Sequence, residues 1–410
     1  MQLCNSRHTM NRAMFEHKLV DIQQRLQKPI AKATGLPNER YINTAAFADD
    51  RDFVTGPGWS CIAFVEDLPE QNYVLPIDFM GVPLVVTRDN NNELRVFHNV
   101  CSHRGMHLAT EPCQTKGMLR CPYHSWTYKM NGDLRGTPHV GGYGVHEHPE
   151  FDRGANGLKE VRSAIWLNAV FINLTGGAID FEAYVEPLTR QFNELCDPSD
   201  RLLFKSSNND CRTSMTVKSN WKLPVENYLE SYHLPTVHPE LNKTSPLDVH
   251  FDLDRFDNGG GQGSTNYTRA DINDMTLPVL PGWSAAKQNL AVYPVLYPNT
   301  FIGLHSDHLF IMFLQPTTHD GTIEHVRISY AGEEALDDTY QLHRAKLLAD
   351  WTNVFKEDIF AVERMHKGRY SPGYQGGAFS PVMDSATVHF HQWVANQLVK
   401  NTTDQHHKGS

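Results

Sequence analysis

The sequence predicts an α+β protein in which a small all-β domain is inserted between an N-terminal helical arm and a larger mixed domain. Helical periodicity marks two parts of the chain, residues 11–28 and about 333–366. Short runs rich in Val, Ile, Phe and Leu fill the region from about 60 to 100. The chain has 410 residues, which is enough for two or three domains that each have a core.

The composition is that of a globular protein and excludes several classes of partner. Hydrophobic residues make up 40% of the chain and charged residues 20%, while the net charge is −10. A nucleic-acid partner would favour a basic surface, so we expect none. No apolar run reaches the roughly 18 residues of a membrane span, and none follows a basic N-terminus, so we expect neither a membrane segment nor a signal peptide. The seven scattered cysteines are not a disulfide framework, which predicts a reducing, cytoplasmic location.

The first predicted element is an amphipathic helix over residues 11–28, ended by Pro29. Its apolar residues recur at helical spacing: Phe15, Leu19, Ile22 and Leu26. We assign residues 1–54 to a helical arm that belongs to the larger domain.

The inserted domain is predicted from short strands that alternate with turns. The expected strands are Ser60–Asp67, Tyr73–Phe79, Pro83–Thr87 and Leu94–Val100. Asn-rich and Asn-Gly turn sequences lie between such runs, at 89–92 and 131–132. We place this domain at residues 55–165.

The remaining residues, 166–410, combine helices with further strands. Helices are expected over residues 220–234 and 333–366, and strands over 290–330. Residues 256–265 are rich in glycine and are expected to form a flexible loop. Because the glycines lack the spacing of a phosphate-binding loop, we expect no nucleotide site there.

Two short motifs in the all-β domain pair a cysteine with a histidine. They are Cys101-Ser102-His103 and Cys121-Pro122-Tyr123-His124. A [2Fe–2S] cluster with two thiolates on one iron and two imidazoles on the other needs this set of side chains. A Cys2His2 zinc site is the alternative. The Cys-x-His spacing, the strand-rich context and nearby groups that can shield sulfur or donate hydrogen bonds to it favour the cluster; these groups are Ser125, Trp126 and Tyr128.

A second metal site is predicted around His233 and His238. On the expected helix, Glu226, Glu230 and His233 share one face. His238 would point about 140° away from that face unless Pro235 breaks the helix. Two histidines and one carboxylate, with open positions left, form the ligand set of O₂-activating Fe(II).

The third ligand of this site is predicted on the late helix. Its apolar residues make one stripe: Leu347, Leu348, Trp351, Phe355, Val362 and Met365. Asp358 falls near the centre of the stripe, where a carboxylate is costly unless it is paired or metal-bound. We therefore assign Asp358 as the third ligand and keep Glu357, which points off the stripe, as the fallback.

The segments CSHRG and CPYHSWTY closely resemble the iron–sulfur motif of Rieske non-haem iron oxygenase α subunits. The resemblance extends over nearly the whole chain. It implies a small Rieske domain beside a catalytic domain in which a curved antiparallel sheet packs against long helices. It also implies that Cys101 and Cys121 hold one iron of the cluster, and that His103 and His124 hold the other.

The same resemblance implies roles for two residues near the mononuclear iron and a set of partners. Glu230 would link His233 to His124 of the partner subunit, and Asn227 would lie close to the iron. These roles imply a homotrimer, to which a β subunit can be added. Electrons would come from NAD(P)H through a separate flavin and iron–sulfur reductase.

The bridging acid also bears on the substrate. It is more often Asp in ring-dihydroxylating relatives, whereas Asn-Tyr-Leu-Glu230 resembles the branch that oxidises C–H bonds of carnitine, choline or betaines. An aromatic cage would suit such a cation. The candidates, each of which can equally be a core aromatic residue, are Tyr267, Tyr293, Tyr297 and Phe301. Mono- or dihydroxylation of an aromatic acid is the alternative.

Two other classes of function are compatible with parts of the sequence. Glu230-x-x-His233 and Glu363-x-x-His366 match the pattern of di-iron helical bundles. The predicted strands and the 23 prolines argue against that fold. A Rieske electron carrier without catalysis would need only residues 55–165. Iron content separates the two cases, with about three irons per chain for an oxygenase and about two for a carrier.

Overall fold

The computed structural model describes residues 17–206 and 211–408, the side chains of 403–408 excepted. Phe15 of the predicted first helix lies outside this range. The chain forms two compact units, of which the smaller is Cys61–Ala178 and the larger comes from the chain on both sides of it. This arrangement confirms the predicted insertion of a small all-β domain into a larger mixed domain.

The smaller unit is built from antiparallel strands. Its strands are β1 (Ser60–Phe64), β2 (Tyr73–Phe79), β3 (Val82–Arg88), β4 (Leu94–His98), β5 (Cys113–Gln114), β6 (Met118–Arg120), β7 (Thr127–Lys129), β8 (Leu134–Gly136), β9 (Glu160–Trp166) and β10 (Ala169–Asn173). Seven of them form a sheet in the order β1-β10-β9-β4-β3-β2-β5, and β6-β7-β8 form a second sheet. The smaller sheet and the loops beside it bury one apolar cluster, which includes Cys101 and Cys121.

The smaller unit ends thirteen residues beyond the boundary expected at 165. Strand β10 pairs with β9 along its whole length, from Ala169 opposite Trp166 to Asn173 opposite Arg162. This pairing keeps residues 166–178 in the small unit. At the other boundary, Trp59 packs edge-on against Phe181 of the larger unit, so the segment before Cys61 belongs there.

The larger unit combines ten helices within the described residues with an antiparallel sheet. The helices are α1 (17–26), α2 (Glu39–Ile42), α3 (Thr44–Asp49), α4 (Phe181–Asn193), α5 (Pro198–Arg201), α6 (Lys222–Tyr228), α7 (Leu234–Val237), α8 (Leu241–Thr244), α9 (Gln341–Gly368) and α10 (Ser385–Lys408), and a π-helix covers Asp50–Thr55. Helix α1 buries Leu19, Ile22 and Leu26, as its periodicity predicts. Among these helices none has the length and apolar character needed to cross a bilayer.

The strands of the larger unit form one antiparallel sheet. Its strands are β11 (Phe204–Lys205), β12 (Arg212–Val217), β13 (His250–Asp252), β14 (Gly259–Ser264), β15 (Ala291–Leu296), β16 (Thr300–Leu304), β17 (His308–Thr318) and β18 (Gly321–Ala331). They follow the order β11-β18-β17-β16-β15-β14-β13, and β12 also pairs with β18. Helix α9 lies against α6 and β12, which brings the late helix to the predicted iron site.

The prediction of a flexible glycine-rich loop at 256–265 is wrong, because most of this segment is the buried strand β14. It pairs with β13 on one side and β15 on the other. A side chain at Gly259 would collide with the ring of Phe256, and one at Gly263 with the ring of Phe251. The glycines thus allow aromatic rings to lie directly on the strand.

The late helix begins later than the sequence predicts. Two 3₁₀ turns, Glu334–Leu336 and Asp338–Tyr340, precede α9, which runs from Gln341 to Gly368. Arg344 holds them by donating hydrogen bonds to the carbonyl groups of Ala335 and Asp337, at 2.7 and 2.9 Å.

Candidate metal centres

Two similar loops of the smaller unit carry the Cys/His pairs. The amide of Gly105 donates to the carbonyl of Cys101 at 2.9 Å, and that of Ser125 donates to the carbonyl of Cys121 at 3.1 Å. Gly105 and Ser125 both have positive φ, of 68° and 59°. Each cysteine therefore begins a tight turn that is closed by the fourth residue after it.

The four side chains divide into two buried thiols and two more accessible imidazoles. Cys101 and Cys121 are each only 2% exposed. His103 is exposed and His124 half-buried, and their ring centres lie 4.6 Å apart. An inner pair of thiolates and an outer pair of imidazoles fits a [2Fe–2S] group with one iron on each side.

Two of the three neighbouring residues expected to shield the cluster do contact its ligands. Tyr128 Oη lies 3.1 Å from Cys101 Sγ, and the ring of Trp126 stacks on His103 at 4.8 Å. Ser125 instead accepts a hydrogen bond from Arg120 at 2.9 Å. Burial raises the pKa of the Cys101 thiol, while the hydrogen bond with Tyr128 opposes that shift and favours the thiolate that an iron needs.

The predicted mononuclear site lies around the single-turn helix α7. The expectation of one unbroken helix over 220–234 is wrong, because α6 ends at Tyr228 and α7 begins at Leu234. His233 precedes α7 and His238 follows it. Pro235 lies in the first turn of α7, where it starts a helix rather than breaking one.

Three side chains converge at this turn. Asp358 Oδ1 of α9 lies 2.9 Å from His238 Nε2 and 3.5 Å from His233 Nε2. One atom from each of these residues lies within 4.8 Å of the other two, as ligands of a single ion would. Two imidazoles and one carboxylate are the donor set of a non-haem Fe(II) centre with open positions.

Each imidazole uses its other nitrogen to contact a glutamate. Glu230 Oε1 lies 2.6 Å from His233 Nδ1, and Glu357 Oε2 lies 2.7 Å from His238 Nδ1. Burial alone would lower the pKa of His238, but the hydrogen bonds and charges of Asp358 and Glu357 outweigh it and raise that pKa. An Nδ1–H donated to glutamate leaves the Nε2 lone pair of each histidine free for a metal. Glu357, the fallback ligand, thus lies on the far side of His238.

Asn227, in the last turn of α6, contacts the metal-site carboxylate. Its Nδ2 donates to Asp358 Oδ1 at 2.7 Å, and the residue is 8% exposed. The same oxygen faces both histidines. Asn227 therefore orients the carboxylate that the sequence predicts as the third ligand.

Glu226 does not share a face with Glu230 and His233. It accepts a hydrogen bond from Tyr41 at 2.5 Å, and it pairs with Arg369 and His391, both at 3.3 Å. Burial alone would raise the pKa of Glu226, but the charges of His391 and Arg369 lower it. This buried group ties α6 to the N-terminal arm, α10 and the end of α9.

The second Glu-x-x-His motif of the di-iron alternative does not reach the metal site. Glu363 Oε1 accepts the amide of Lys218 at 2.9 Å, and His366 Nδ1 accepts the amide of Asn220 at 3.2 Å. Both side chains hold the segment that enters α6.

An inner cavity of about 460 Å³ opens directly on the three converging side chains. Aromatic rings form much of its wall, namely Tyr228, Tyr293, Trp351 and Phe355. His250 and Gln262 add polar groups. Among the described residues that line this cavity, none is Lys or Arg.

An outer cavity of about 1170 Å³ shares Leu241, Trp351 and Val354 with the inner one. Its lining carries charges of both signs, with Arg269 and Lys346 beside Glu240, Asp350 and Glu357. Lys346 pairs with Asp350 at 2.8 Å. Arg269 instead donates one nitrogen to Thr276 Oγ1 and to the carbonyl of Leu277, at 3.4 and 3.3 Å, which are neutral groups. The outer cavity therefore differs from the inner one in having a guanidinium whose hydrogen-bond partners, Thr276 and Leu277, carry no charge.

A third, small cavity of about 260 Å³ lies on the other side of Asp358 and includes Glu324. Glu324, on β18, is 3% exposed. Burial, and then the charge of Asp358, raise the pKa of Glu324 to about 8. This side chain was missed in the sequence because nothing around it marks it as buried beside a second acid.

The four aromatic residues considered for a cation-binding cage lie in different parts of the larger unit. Tyr293 lines the inner cavity, Tyr267 the outer one, and Phe301 the small third one. Tyr297 packs against Trp393, with ring centres 5.2 Å apart, and lines none of these three cavities. Trp351 and Phe355, which do line the inner cavity, were detectable as members of the apolar stripe around Asp358.

Comparison with known families gives two matches along the chain. Residues 58–149 match the Rieske [2Fe-2S] domain. Residues 204–400 match the ring hydroxylating alpha subunit (catalytic domain). The first match contains both Cys/His loops, and the second contains His233, His238 and Asp358.

Curated relatives and solved structures resemble nearly the whole chain. The carnitine monooxygenase oxygenase subunit of Escherichia coli (strain K12) is 26% identical over 89% of this chain and 94% of the relative. The chloroplastic choline monooxygenase of Spinacia oleracea is 25% identical over 91% of this chain and 80% of the relative. A quaternary ammonium Rieske monooxygenase in complex with L-carnitine has a TM-score of 0.72 at 23% identity, over 91% and 97%. Naphthalene 1,2-dioxygenase from Rhodococcus sp. has a TM-score of 0.69 at 18% identity, covering 92% of this chain and 98% of that structure.

Proposed function

Because this chain belongs to the Rieske non-haem iron oxygenases, we propose that it oxidises a C–H bond of a quaternary ammonium compound, by N-demethylation or C–N cleavage. When bound, the [2Fe–2S] cluster supplies single electrons and the mononuclear Fe(II) activates O₂. A separate reductase with flavin and iron–sulfur groups would supply the electrons from NAD(P)H.

The charge of the inner cavity is the observation that supports this substrate class. Asp358 lines this cavity together with aromatic rings, and Glu230 and Glu357 contact the two histidines from outside the lining. None of the described lining residues is Lys or Arg, so the carboxylate of an aromatic acid has no basic partner beside the metal site. A methylated ammonium group instead gains from aromatic faces and from a negative site. The carnitine and choline monooxygenases among the relatives support the same class.

The two cavities also suggest how such a substrate lies. Its ammonium end would occupy the inner cavity, next to His233, His238 and Asp358. A carboxylate or hydroxyl at its other end would extend into the outer cavity toward Arg269, since Lys346 is already paired with Asp350. This orientation brings a methyl group or the adjacent carbon toward the metal site.

Within the metal site we propose three ligands and two positioning residues. His233, His238 and Asp358 would hold the iron. Glu230 fixes the ring of His233 through the 2.6 Å contact with its Nδ1, and Asn227 fixes Asp358 through its 2.7 Å hydrogen bond. These contacts would keep the three side chains oriented toward a bound iron, which would supply O₂ activation next to the substrate cavity.

We further propose a homotrimer in which Glu230 meets His124 of the partner subunit. Large apolar side chains are exposed near both proposed contact points. Met106 and Tyr123 in the Cys/His loops are 43% and 57% exposed, and Tyr232 beside Glu230 is 59% exposed. A second copy of this chain would cover these groups. A β subunit is not required by this arrangement.

The six cysteines within the described residues are free of disulfides, which supports a reducing location such as the cytoplasm. The choline monooxygenase relatives are chloroplastic.

A single-turnover assay tests the proposed substrate class. Iron-loaded, pre-reduced protein would receive O₂ and a mixed panel of carnitine, choline, betaines and aromatic acids, with products read by mass. We expect formaldehyde with a demethylated amine, or an aldehyde with free trimethylamine. A hydroxylated arene would mean that the cavity serves an aromatic acid. Asp358→Ala, which should lack the mononuclear iron and retain the cluster, is the control.

A further inference from the structure

The turn between β16 and β17 places two buried histidines behind the aromatic wall of the inner cavity. His305 and His308 stack with ring centres 4.0 Å apart and planes 9° apart. They are 1% and 0% exposed. Neither belongs to the metal site, so their function must be sought in what they contact.

Each of these histidines contacts the polar edge of one aromatic residue of the cavity wall. Tyr293 Oη lies 3.1 Å from His305 Nε2, and the indole Nε1–H of Trp351 donates to His308 Nε2 at 3.0 Å. Tyr293 and Trp351 both line the inner cavity. Their polar groups are therefore satisfied by the protein, so the small accessible parts of these rings, 6% for Trp351 and 7% for Tyr293, offer the cavity aromatic surface.

The hydrogen-bond donors define the protonation of His308. The indole N–H can only donate, so His308 Nε2 must accept and cannot carry a proton. The proton of the neutral ring is then on Nδ1, which donates to Asp307 Oδ1 at 2.8 Å. Asp307 is 3% exposed. A chain of hydrogen bonds thus runs from Trp351 through His308 to a buried acid, and every donor in it points toward that acid.

This chain, which we call the Asp307 relay (Asp307, His308 and Trp351), strengthens the attraction of the indole face for a cation. Hydrogen bonds in series polarise one another in a low-dielectric interior. Donation of the indole N–H toward an acid shifts electron density into the ring, and Trp is already the best aromatic partner for a cation. His305 adds no opposing charge, because burial, and then the neighbouring His308, lower its pKa well below the ordinary value.

We propose that Asp307, acting through His308, is a positioning residue that makes the Trp351 face selective for a cationic group over a neutral group of the same shape. This inference rests on the proposed function as a quaternary ammonium oxygenase. It adds a specificity determinant that does not itself touch the substrate.

The test compares a cation with its neutral isostere. Choline and 3,3-dimethylbutan-1-ol form one such pair, and γ-butyrobetaine and 5,5-dimethylhexanoate form another. Dissociation constants would be measured on the reduced holoenzyme without O₂, for wild type, Asp307→Asn and His308→Gln. Glutamine can still accept the indole N–H through its carbonyl oxygen, but it lacks the imidazole ring whose Nδ1–H donates to Asp307. Asp320→Asn, which removes an exposed acid from the other end of the same hairpin, is the matched control.

We expect wild type to prefer the cation, and both relay variants to reduce the cation-to-isostere preference about threefold to tenfold while isostere affinity stays unchanged. Asp320→Asn should keep the wild-type ratio. The inference is overturned if the relay variants have intact metal centres and the same cation-to-isostere ratio of dissociation constants as wild type. It is also overturned if both ligands lose affinity equally, because that result indicates a purely structural role. If Asp307→Asn does not fold, the same comparison of dissociation constants in His308→Gln tests the inference. A wild type without any preference for the cation would overturn the proposed function, and the relay with it.

Discussion

Glu357 and Asp358 are adjacent on α9, and the structure assigns them different tasks that a metal titration can separate. Asp358 Oδ1 faces the Nε2 atoms of both histidines, while Glu357 Oε2 lies 2.7 Å from Nδ1 of His238. We expect Glu357→Gln to weaken Fe(II) binding and Asp358→Asn to abolish it. The reason is that the first change alters a partner of a proposed ligand, whereas the second removes the one anionic group among the three proposed ligands.

The expected loss for Glu357→Gln follows from the contact geometry. Glutamine keeps an oxygen that can accept the Nδ1–H of His238, so the change removes charge rather than the hydrogen bond. The Glu357 side chain is 41% exposed, and solvent screens part of its charge. Outer partners of metal-binding histidines contribute about 10- to 100-fold in affinity. We therefore expect about a tenfold loss for Glu357→Gln, or about 1.4 kcal/mol, and about a hundredfold loss for Glu357→Ala.

The assay is an anaerobic Fe(II) titration against a competing chelator, with the visible absorption of the cluster as an internal count of folded protein. Asp350→Asn is the matched control, since this acid is also on α9 but pairs with Lys346 at 2.8 Å. It should bind iron like wild type. If Glu357→Gln loses the iron and Asp358→Asn keeps it, the two assignments are reversed and the reasoning is refuted.

Three further changes test other parts of the site. Glu230→Gln should keep both metal centres loaded when Fe(II) is supplied in excess, and slow single turnover about 10- to 100-fold; a normal rate in a stopped-flow assay would contradict the bridging role. A strong Fe(II) chelator should remove about a third of the iron, as measured by elemental analysis, and leave the cluster spectrum intact, because the cluster thiols are buried and the mononuclear site is open to a cavity. Burial and the charge of Asp358 raise the pKa of Glu324 from its ordinary 4.5 to about 8, so the folded chain holds a proton there that the unfolded chain releases. The free energy of unfolding should fall by up to a few kcal/mol as pH rises from about 4.5 to 8, and thermal melts of Glu324→Gln should lack this part of the slope; equal slopes in both proteins would contradict it.

The residues proposed to bind the metals can be predicted because each has a local mark in the sequence. The Cys/His spacings are tight turns in strand-rich sequence, and Asp358 is an acid on an apolar helical stripe. Burying a carboxylate in such a stripe costs free energy unless a partner compensates, which makes the position informative without knowledge of the fold. The structure places Asp358 beside both histidines.

The placement of Glu226 could not be derived in this way. Its apparent periodicity with Glu230 and His233 assumed a continuous helix, but α6 ends at Tyr228. The groups that bind Glu226 come from distant parts of the sequence, with Tyr41 185 residues away and Arg369 143 residues away. Only the tertiary fold brings these partners together, so no local pattern reveals where the helix ends.

The glycine-rich strand β14 was mispredicted for a related reason. Glycine is disfavoured in strands by its conformational entropy, so a glycine-rich segment favours the prediction of a loop. The segment forms a strand because β13 and β15 pair with it on both sides, and because the rings of Phe251 and Phe256 lie over glycine. Tertiary contacts thus outweigh local propensity at this position.

The charges around the two histidines connect the metal site to the proposed substrate. Glu230, Glu357 and Asp358 bring three carboxylates to one small volume, and a divalent ion leaves one negative charge in excess. A nearby Lys or Arg would neutralise that charge and weaken metal binding. None of the described residues that line the inner cavity is Lys or Arg. In the outer cavity Lys346 pairs with Asp350 at 2.8 Å, whereas Arg269 donates to the neutral oxygens of Thr276 and Leu277. A cationic group is therefore favoured at the metal end, and a carboxylate at the outer end can meet Arg269, which is the charge order of a betaine and the reverse of what binding an aromatic acid by its carboxylate next to the iron would require.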